Sequence, residues 1–208
     1  MLNFSLPDFL QILEKYNESI YPLQLLAFVL GVAAVALLAR MRSRHYRQGI
    51  FILALFWIWT GFVFCLVYWV PQYPSAYAFA ALMIIQGALF VVSALDVKPD
   101  SRTVPKNHLI IGLLLVLYGI VGYNLLGLCF GRIYPRIFAF GLVPCPTIVF
   151  TIGCFFLSPR RVPRYLLIIP FILALGTGIA VWNGVYEDVV VILSGILLMA
   201  LLWKKPSK

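Results

Sequence analysis

Seven long apolar stretches dominate this sequence and set its fold class. They run over 21–39, 50–70, 76–95, 109–128, 137–157, 165–182 and 186–203. Most reach the ~20 residues that a helix needs to cross a ~30 Å hydrocarbon layer. Inside such a layer no water pairs with the backbone, so each crossing segment must pair its own amides and carbonyls, as a helix does. Membrane barrel strands would need only about 9–11 residues of alternating character. The expected fold is therefore an all-α polytopic membrane protein with seven transmembrane helices. Composition agrees. Of 208 residues, 63% are hydrophobic and 11% charged, against about a quarter charged in soluble domains. One membrane domain, 21–203, accounts for the chain, with segment 1–20 before it and a tail 204–208 behind.

The net charge of +9 does not point to nucleic acid, because the basic residues form short clusters between the apolar stretches. Thirteen of them fall on one side of a seven-helix arrangement: Arg40, Arg42, Arg44, Arg47, Lys98, Arg102, Lys106, Arg160, Arg161, Arg164, Lys204, Lys205 and Lys208. Only Lys15, Arg132 and Arg136 fall on the other. Lys and Arg concentrate in cytoplasmic loops, so the N-terminus is expected outside and the C-terminus in the cytoplasm. The segment "SLPDFLQILEKYN" lacks the basic start, apolar core and small-residue cleavage site of a secretory signal. It reads as an amphipathic helix on the outer surface, capped by Ser5 and with Phe9, Leu13 and Tyr16 on one face.

Polar residues inside apolar stretches are costly in lipid and often functional. Here they gather in the outer half. Asn124 lies near the end of the fourth stretch. Cys145, Thr147, Thr151 and Cys154 lie in the fifth. Glu187 and Asp188 open the seventh, and Arg132 and Arg136 sit on the outer connection before the fifth. The most unusual piece is "FGLVPCPTIVF". In an unbroken helix, Pro144 and Pro146 would leave the carbonyls of Phe140 and Leu142 without partners. Freed carbonyls at membrane depth must face protein, water or an ion. The break would lie ~10 Å below the outer end of that helix at 1.5 Å per residue. A substrate or ion cavity, with Thr147 and Cys145 on its wall, and a simple packing kink both fit.

Metal and cofactor chemistry have less support. Cys145 and Cys154 are nine residues apart, half a turn out of phase on a helix, so they do not share a metal. Cys65 and Cys129 fall in outer halves from which either can approach Cys145, and no metal set is assigned. His45 and His108 fall on cytoplasmic connections, which disfavours intramembrane haem ligation. No mid-membrane lysine in the seventh stretch is available for a retinal Schiff base. No cofactor is expected.

Nearly the whole chain resembles a bacterial family of integral membrane proteins of unknown function, DUF6064. "GRIYPRIFAFGLVPCPTIVFTIG", "VPRYLLIIP", "GVYEDVVVILSG" and the early "YNESIYPLQ" carry the likeness. Residue by residue, it marks Tyr16, Asn17, Pro22, Gln24, Tyr134, Pro135, Gly141, Pro144, Cys145, Pro146, Thr147, Thr151, Pro170, Glu187 and Asp188. Two positions depart from the pattern: Arg132 stands where the family has histidine, and Ile148 where it has a second threonine. The histidine's loss weakens a metal reading. The resemblance implies a multi-pass protein of the bacterial inner membrane and names no substrate.

Together these readings give ligand-site candidates Asn17, Asn124, Arg132, Tyr134, Pro144, Cys145, Pro146, Thr147, Thr151, Glu187 and Asp188. The expected function is a small-solute or ion transporter with an outward-facing site at the Pro-Cys-Pro break. The alternative is a membrane-embedded binding or sensor protein. A thiol enzyme is less favoured, since the chain has no Cys-x-x-Cys pair and no metalloprotease motif. Beyond the bilayer, a small molecule or ion is the expected partner, and the oligomeric state is not indicated. Glu187 or Asp188 is expected to pair with Arg132 or Arg136.

Overall fold

Helices account for most of residues 5–40, 42–96 and 103–203, which the computed structural model describes, and no strand occurs among them. The tail 204–208 and the loop positions Lys98 and Arg102 lie outside the described residues. In chain order the helices are α1 (Leu6–Ser19), α2 (Leu23–Leu38) and α3 (Ser43–Trp59), which continues in wider π-type turns over Thr60–Trp69. Then come α4 (Ala76–Leu95) and α5 (Lys106–Leu117), which runs through a π-type stretch, Tyr118–Gly122, into α6 (Tyr123–Cys129). The chain ends with α7 (Pro144–Leu157), α8 (Tyr165–Gly176), α9 (Gly178–Trp182) and α10 (Asp188–Trp203).

Four continuous helical rods are long and apolar enough to cross a membrane: Ser43–Trp69, Ala76–Leu95, Lys106–Cys129 and Tyr165–Trp182. A fifth is added if α1 and α2, bent by 87°, count as one span. α7 and α10 are shorter apolar helices. By length alone the structure thus supplies four or five crossings where the apolar stretches promise seven.

The shortfall at the fifth stretch has a definite cause. The prolines do not interrupt a helix there; they start one. Val143 is extended (φ −129°, ψ 148°), and Pro144 is the first residue of α7. The first four amides of a helix have no intrahelical acceptor, so missing N–H groups at Pro144 and Pro146 remove nothing. The expected mid-helix break is therefore corrected to a helix start, preceded by an irregular segment over 130–143. That segment is buried from Phe138 to Val143.

α7 sits at the centre. It touches α2, α3, α5, α8 and α10, and every residue from Pro146 to Leu157 is buried. Against α5 the approach is close enough to require glycine. A Cβ on Gly153 would stand 2.8 Å from the Val116 amide nitrogen, and one on Gly119 would stand 2.9 Å from the Pro146 carbonyl. Small residues at such crossings let two backbones meet.

α1 is amphipathic, as expected, but its apolar face packs into the core. Phe9, Ile12, Leu13, Tyr16 and Asn17 are buried, and the Phe9 ring meets Phe64 and Phe138 at 6.1 Å and 6.0 Å. The Ser5 hydroxyl makes no capping bond. Its backbone N–H instead donates to the Tyr73 hydroxyl at 3.2 Å, and its carbonyl accepts from Phe9.

Because the obstacle at Gly153 is backbone, Gly153→Ala should push α5 and α7 apart. Overpacking of this kind costs about 1–3 kcal/mol. Thermal unfolding of the purified protein should show a melting temperature several degrees lower. Gly176→Ala, whose nearest obstacle is a ring atom at 3.9 Å, should not shift it comparably.

Candidate functional site

Residues 130–143, buried over 138–143, carry a backbone that neither helix nor sheet satisfies, and polar side chains take that role. The Asn17 amide donates to the Pro135 and Ile137 carbonyls at 2.6 and 2.7 Å. Asn124 pairs with Phe138 twice, donating to its carbonyl at 3.0 Å and accepting from its N–H at 3.1 Å. The Tyr16 hydroxyl donates to the Leu142 carbonyl at 2.8 Å and accepts from the Trp59 indole at 2.9 Å. Gln24 holds the arrangement from α2, donating to the Asn17 carbonyl at 2.8 Å. Gly141 turns the segment with φ +73°, where a side chain would also meet the Phe56 ring at 3.0 Å.

Arg132 and Glu187 form a buried ion pair. The guanidinium also donates to the Gly184 carbonyl at 2.7 Å. Burial pulls the Arg132 pKa below the usual arginine value, with Tyr123 and Asp188 acting the other way. Arg136 takes a different partner, Glu14, at 2.8 Å and near the surface. Gly127 makes room for the buried carboxylate, since a Cβ there would stand 3.0 Å from Glu187 Oε1. The Tyr118 hydroxyl donates to the Glu187 backbone carbonyl at 2.8 Å.

Asp188, next along, is equally buried but has other partners. Its Oδ1 accepts from the Tyr123 hydroxyl at 2.5 Å, and its Oδ2 accepts from the Cys145 thiol at 3.3 Å. Cys145 and Asp188 share the wall of a cavity of about 230 Å³. Phe9, Trp69, Phe79 and Phe138 supply aromatic wall, and Thr177 and Val185 come from the α8–α10 side. Phe9 and Phe79 lie 5.4 and 5.1 Å from Trp69 between ring centroids.

The sequence candidates therefore separate. Pro144, Cys145 and Asp188 line the cavity. Glu187 and Arg132 form the ion pair behind it. Asn17 and Asn124 brace the irregular segment. Thr147 and Thr151 do not reach the cavity: their hydroxyls donate to the carbonyls of Val143 and Thr147, and Thr151 also accepts from the Trp57 indole at 2.8 Å. Pro146 is buried within α7. Tyr134 is half exposed. Cys65, Cys129, Cys145 and Cys154 are free thiols, and no group of three metal-ligating side chains occurs among the described residues. Sequence reasoning missed Phe9, Trp69, Phe79, Phe138 and Tyr123. Tyr123 adjoins Asn124, but nothing in its spacing points to Asp188, 65 residues away.

The two halves of this site, a braced buried segment and an aromatic cavity with a carboxylate on its wall, define a helical protein built around a short central helix. The chain belongs to the family of unknown function DUF6064, whose model matches residues 7–207. No curated protein and no solved structure matches it significantly.

Removing the Asn17 amide strands two carbonyls, and each unpaired buried polar group costs about 1–3 kcal/mol. Asn17→Ala should lower the melting temperature strongly, while Tyr134→Ala should leave it within the small range of surface changes. Breaking the buried pair with Glu187→Gln should also destabilise, by up to ~3–5 kcal/mol. The swap Glu187→Arg with Arg132→Glu should recover part of what Glu187→Arg alone loses, and Arg136→Glu should recover nothing.

Proposed function

We propose that this is a seven-crossing membrane protein of the bacterial inner membrane that binds a small, largely apolar molecule at its outer end. The cavity carries the reading. It is mostly apolar, it lies between separate elements, and three chemically distinctive residues singled out in the sequence converge on its wall. Ligand sites have this character: apolar surface with a few placed polar groups.

Membrane insertion is supported by the outer surface. Leu25, Phe28, Val29, Ile85, Ile110 and Leu114 are all exposed. Apolar surface on this scale needs lipid or a partner to cover it. The count of seven rests on treating 137–157 as one crossing, its outer part irregular and its inner part α7. Irregular backbone is tolerated at membrane depth when protein surrounds it, and 138–143 is surrounded. α2 and α10, of 16 residues each, reach ~24 Å. On this topology the cavity residues lie at the end opposite the basic loops, hence outside.

The reading is one of binding, without chemistry. Passage of a solute, the leading expectation from the sequence, becomes the second reading. The solid burial of α7 from Pro146 to Leu157 favours a closed centre in this conformation.

Thiol labelling tests the site. In a Cys129→Ser background, N-ethylmaleimide should modify Cys145, which is partly exposed on the cavity wall, and should spare the buried Cys65 and Cys154. Cys145→Ala should abolish labelling. An unreactive Cys145 would contradict an accessible cavity. An N-terminal tag should react from outside intact cells, and a C-terminal reporter should be active only in the cytoplasm. Uptake of labelled solute by proteoliposomes would establish transport in place of binding alone.

A further inference from the structure

We propose that the cavity selects an organic cation: a compact molecule with an apolar body and one protonated amine, held by Asp188 against the aromatic wall. The proposal rests on the ligand-binding reading above and names the class of ligand.

The charges of the buried cluster do not balance within it. Arg132 is its cation, and Glu187 and Asp188 are its two carboxyl groups. The guanidinium is committed to Glu187 and to the Gly184 carbonyl. Asp188 is left with two neutral donors, the Tyr123 hydroxyl from α6 and the Cys145 thiol from α7. Tyr118, another polar side chain close by, spends its hydroxyl on the Glu187 backbone. With no cation bonded to it, a buried carboxyl group gains little by ionising, and buried charges are normally paired. A ligand cation in the adjoining cavity completes the pairing.

The wall suits such a ligand on independent grounds. Phe9, Trp69, Phe79 and Phe138 line the space. Aromatic faces attract cations, Trp most strongly, and aromatic enclosures are a recurrent means of binding ammonium groups. The volume of about 230 Å³ exceeds the about 150 Å³ that admits benzene, so a ring with a short amine-bearing chain fits. The Cys145 thiol, on the same cavity wall, donates to Asp188 Oδ2. It turns about a single side-chain torsion, so the incoming ammonium replaces the thiol as donor to Oδ2.

The test compares 4-phenylbutylamine with 4-phenylbutanol, which share a body and differ in charge. Binding to the purified full chain in a neutral detergent is measured by titration calorimetry near neutral pH. The amine should bind at least tenfold more tightly than the alcohol. Asp188→Asn should reduce the amine to the alcohol's affinity and leave the alcohol unchanged. Cys145→Ala, which removes one neutral donor from the carboxyl group, should preserve the preference for the amine. If the unmodified protein binds both probes equally, the cation proposal is overturned while the cavity reading stands. If it binds neither, both fail. If Asp188→Asn does not fold, the comparison on the unmodified protein decides alone.

Discussion

The Asn17 side chain, bonded to the carbonyls of Pro135 and Ile137, is the contact on which the rest of this structure depends. A chain this apolar has few ways to bury backbone that is neither helix nor strand. Each stranded carbonyl in a dry interior is costly, and 130–143 carries several. One amide from α1 serves two of them. Tyr16, a neighbour on the same helix, serves a third at Leu142, and Asn124 clamps Phe138 from α6. The N-terminal helix is thus a structural brace that holds this end of the bundle.

The same arrangement creates the cavity. Had 137–157 been one helix, regular packing would have carried on to the outer end. Starting the helix at Pro144 instead leaves a connection whose shape is set by Gly141 and by its bonds to α1. Phe138 turns toward Phe9, and Cys145, at the first turn of α7, meets Asp188 at the first turn of α10. Deeper down, Gly112, Gly119 and Gly153 allow α5 and α7 to close tightly, so the rigid part of the molecule lies below the site. The polar groups around the site divide accordingly into those that brace backbone and those that carry charge.

Much of the fold was legible in the sequence because hydropathy and length are local properties. The rods Ala76–Leu95 and Tyr165–Trp182 fall where the apolar stretches placed them. The face of α1 bearing Phe9, Leu13 and Tyr16 was legible from helical spacing, although its destination in the core was not. The proline segment was recognised as special and misplaced in kind, because the same residues that break a helix also begin one, and only the residues before them decide which. Thr147 and Thr151 looked like cavity groups since polar residues in apolar runs attract functional readings. In α7 each hydroxyl closes on the carbonyl four residues back, a local bond that hides it. Asp188 and Cys145 were each visible. Their meeting, with Tyr123 as the third member, depends on helix packing across 43 and 65 residues of chain, which no spacing rule encodes.

Hydrogen exchange, resolved to single amides, tests the braced segment most directly. Exchange at a buried, bonded amide waits for local opening, and the opening free energy of core elements approaches that of the whole protein. The amides of Phe138, Leu142 and Val143 are bonded to Asn124 and to the Ala139 carbonyl. They should exchange as slowly as the amides in the body of α7. Rapid exchange at all three, at the rate of an unprotected amide, would show that 130–143 is not held in place and would contradict the account.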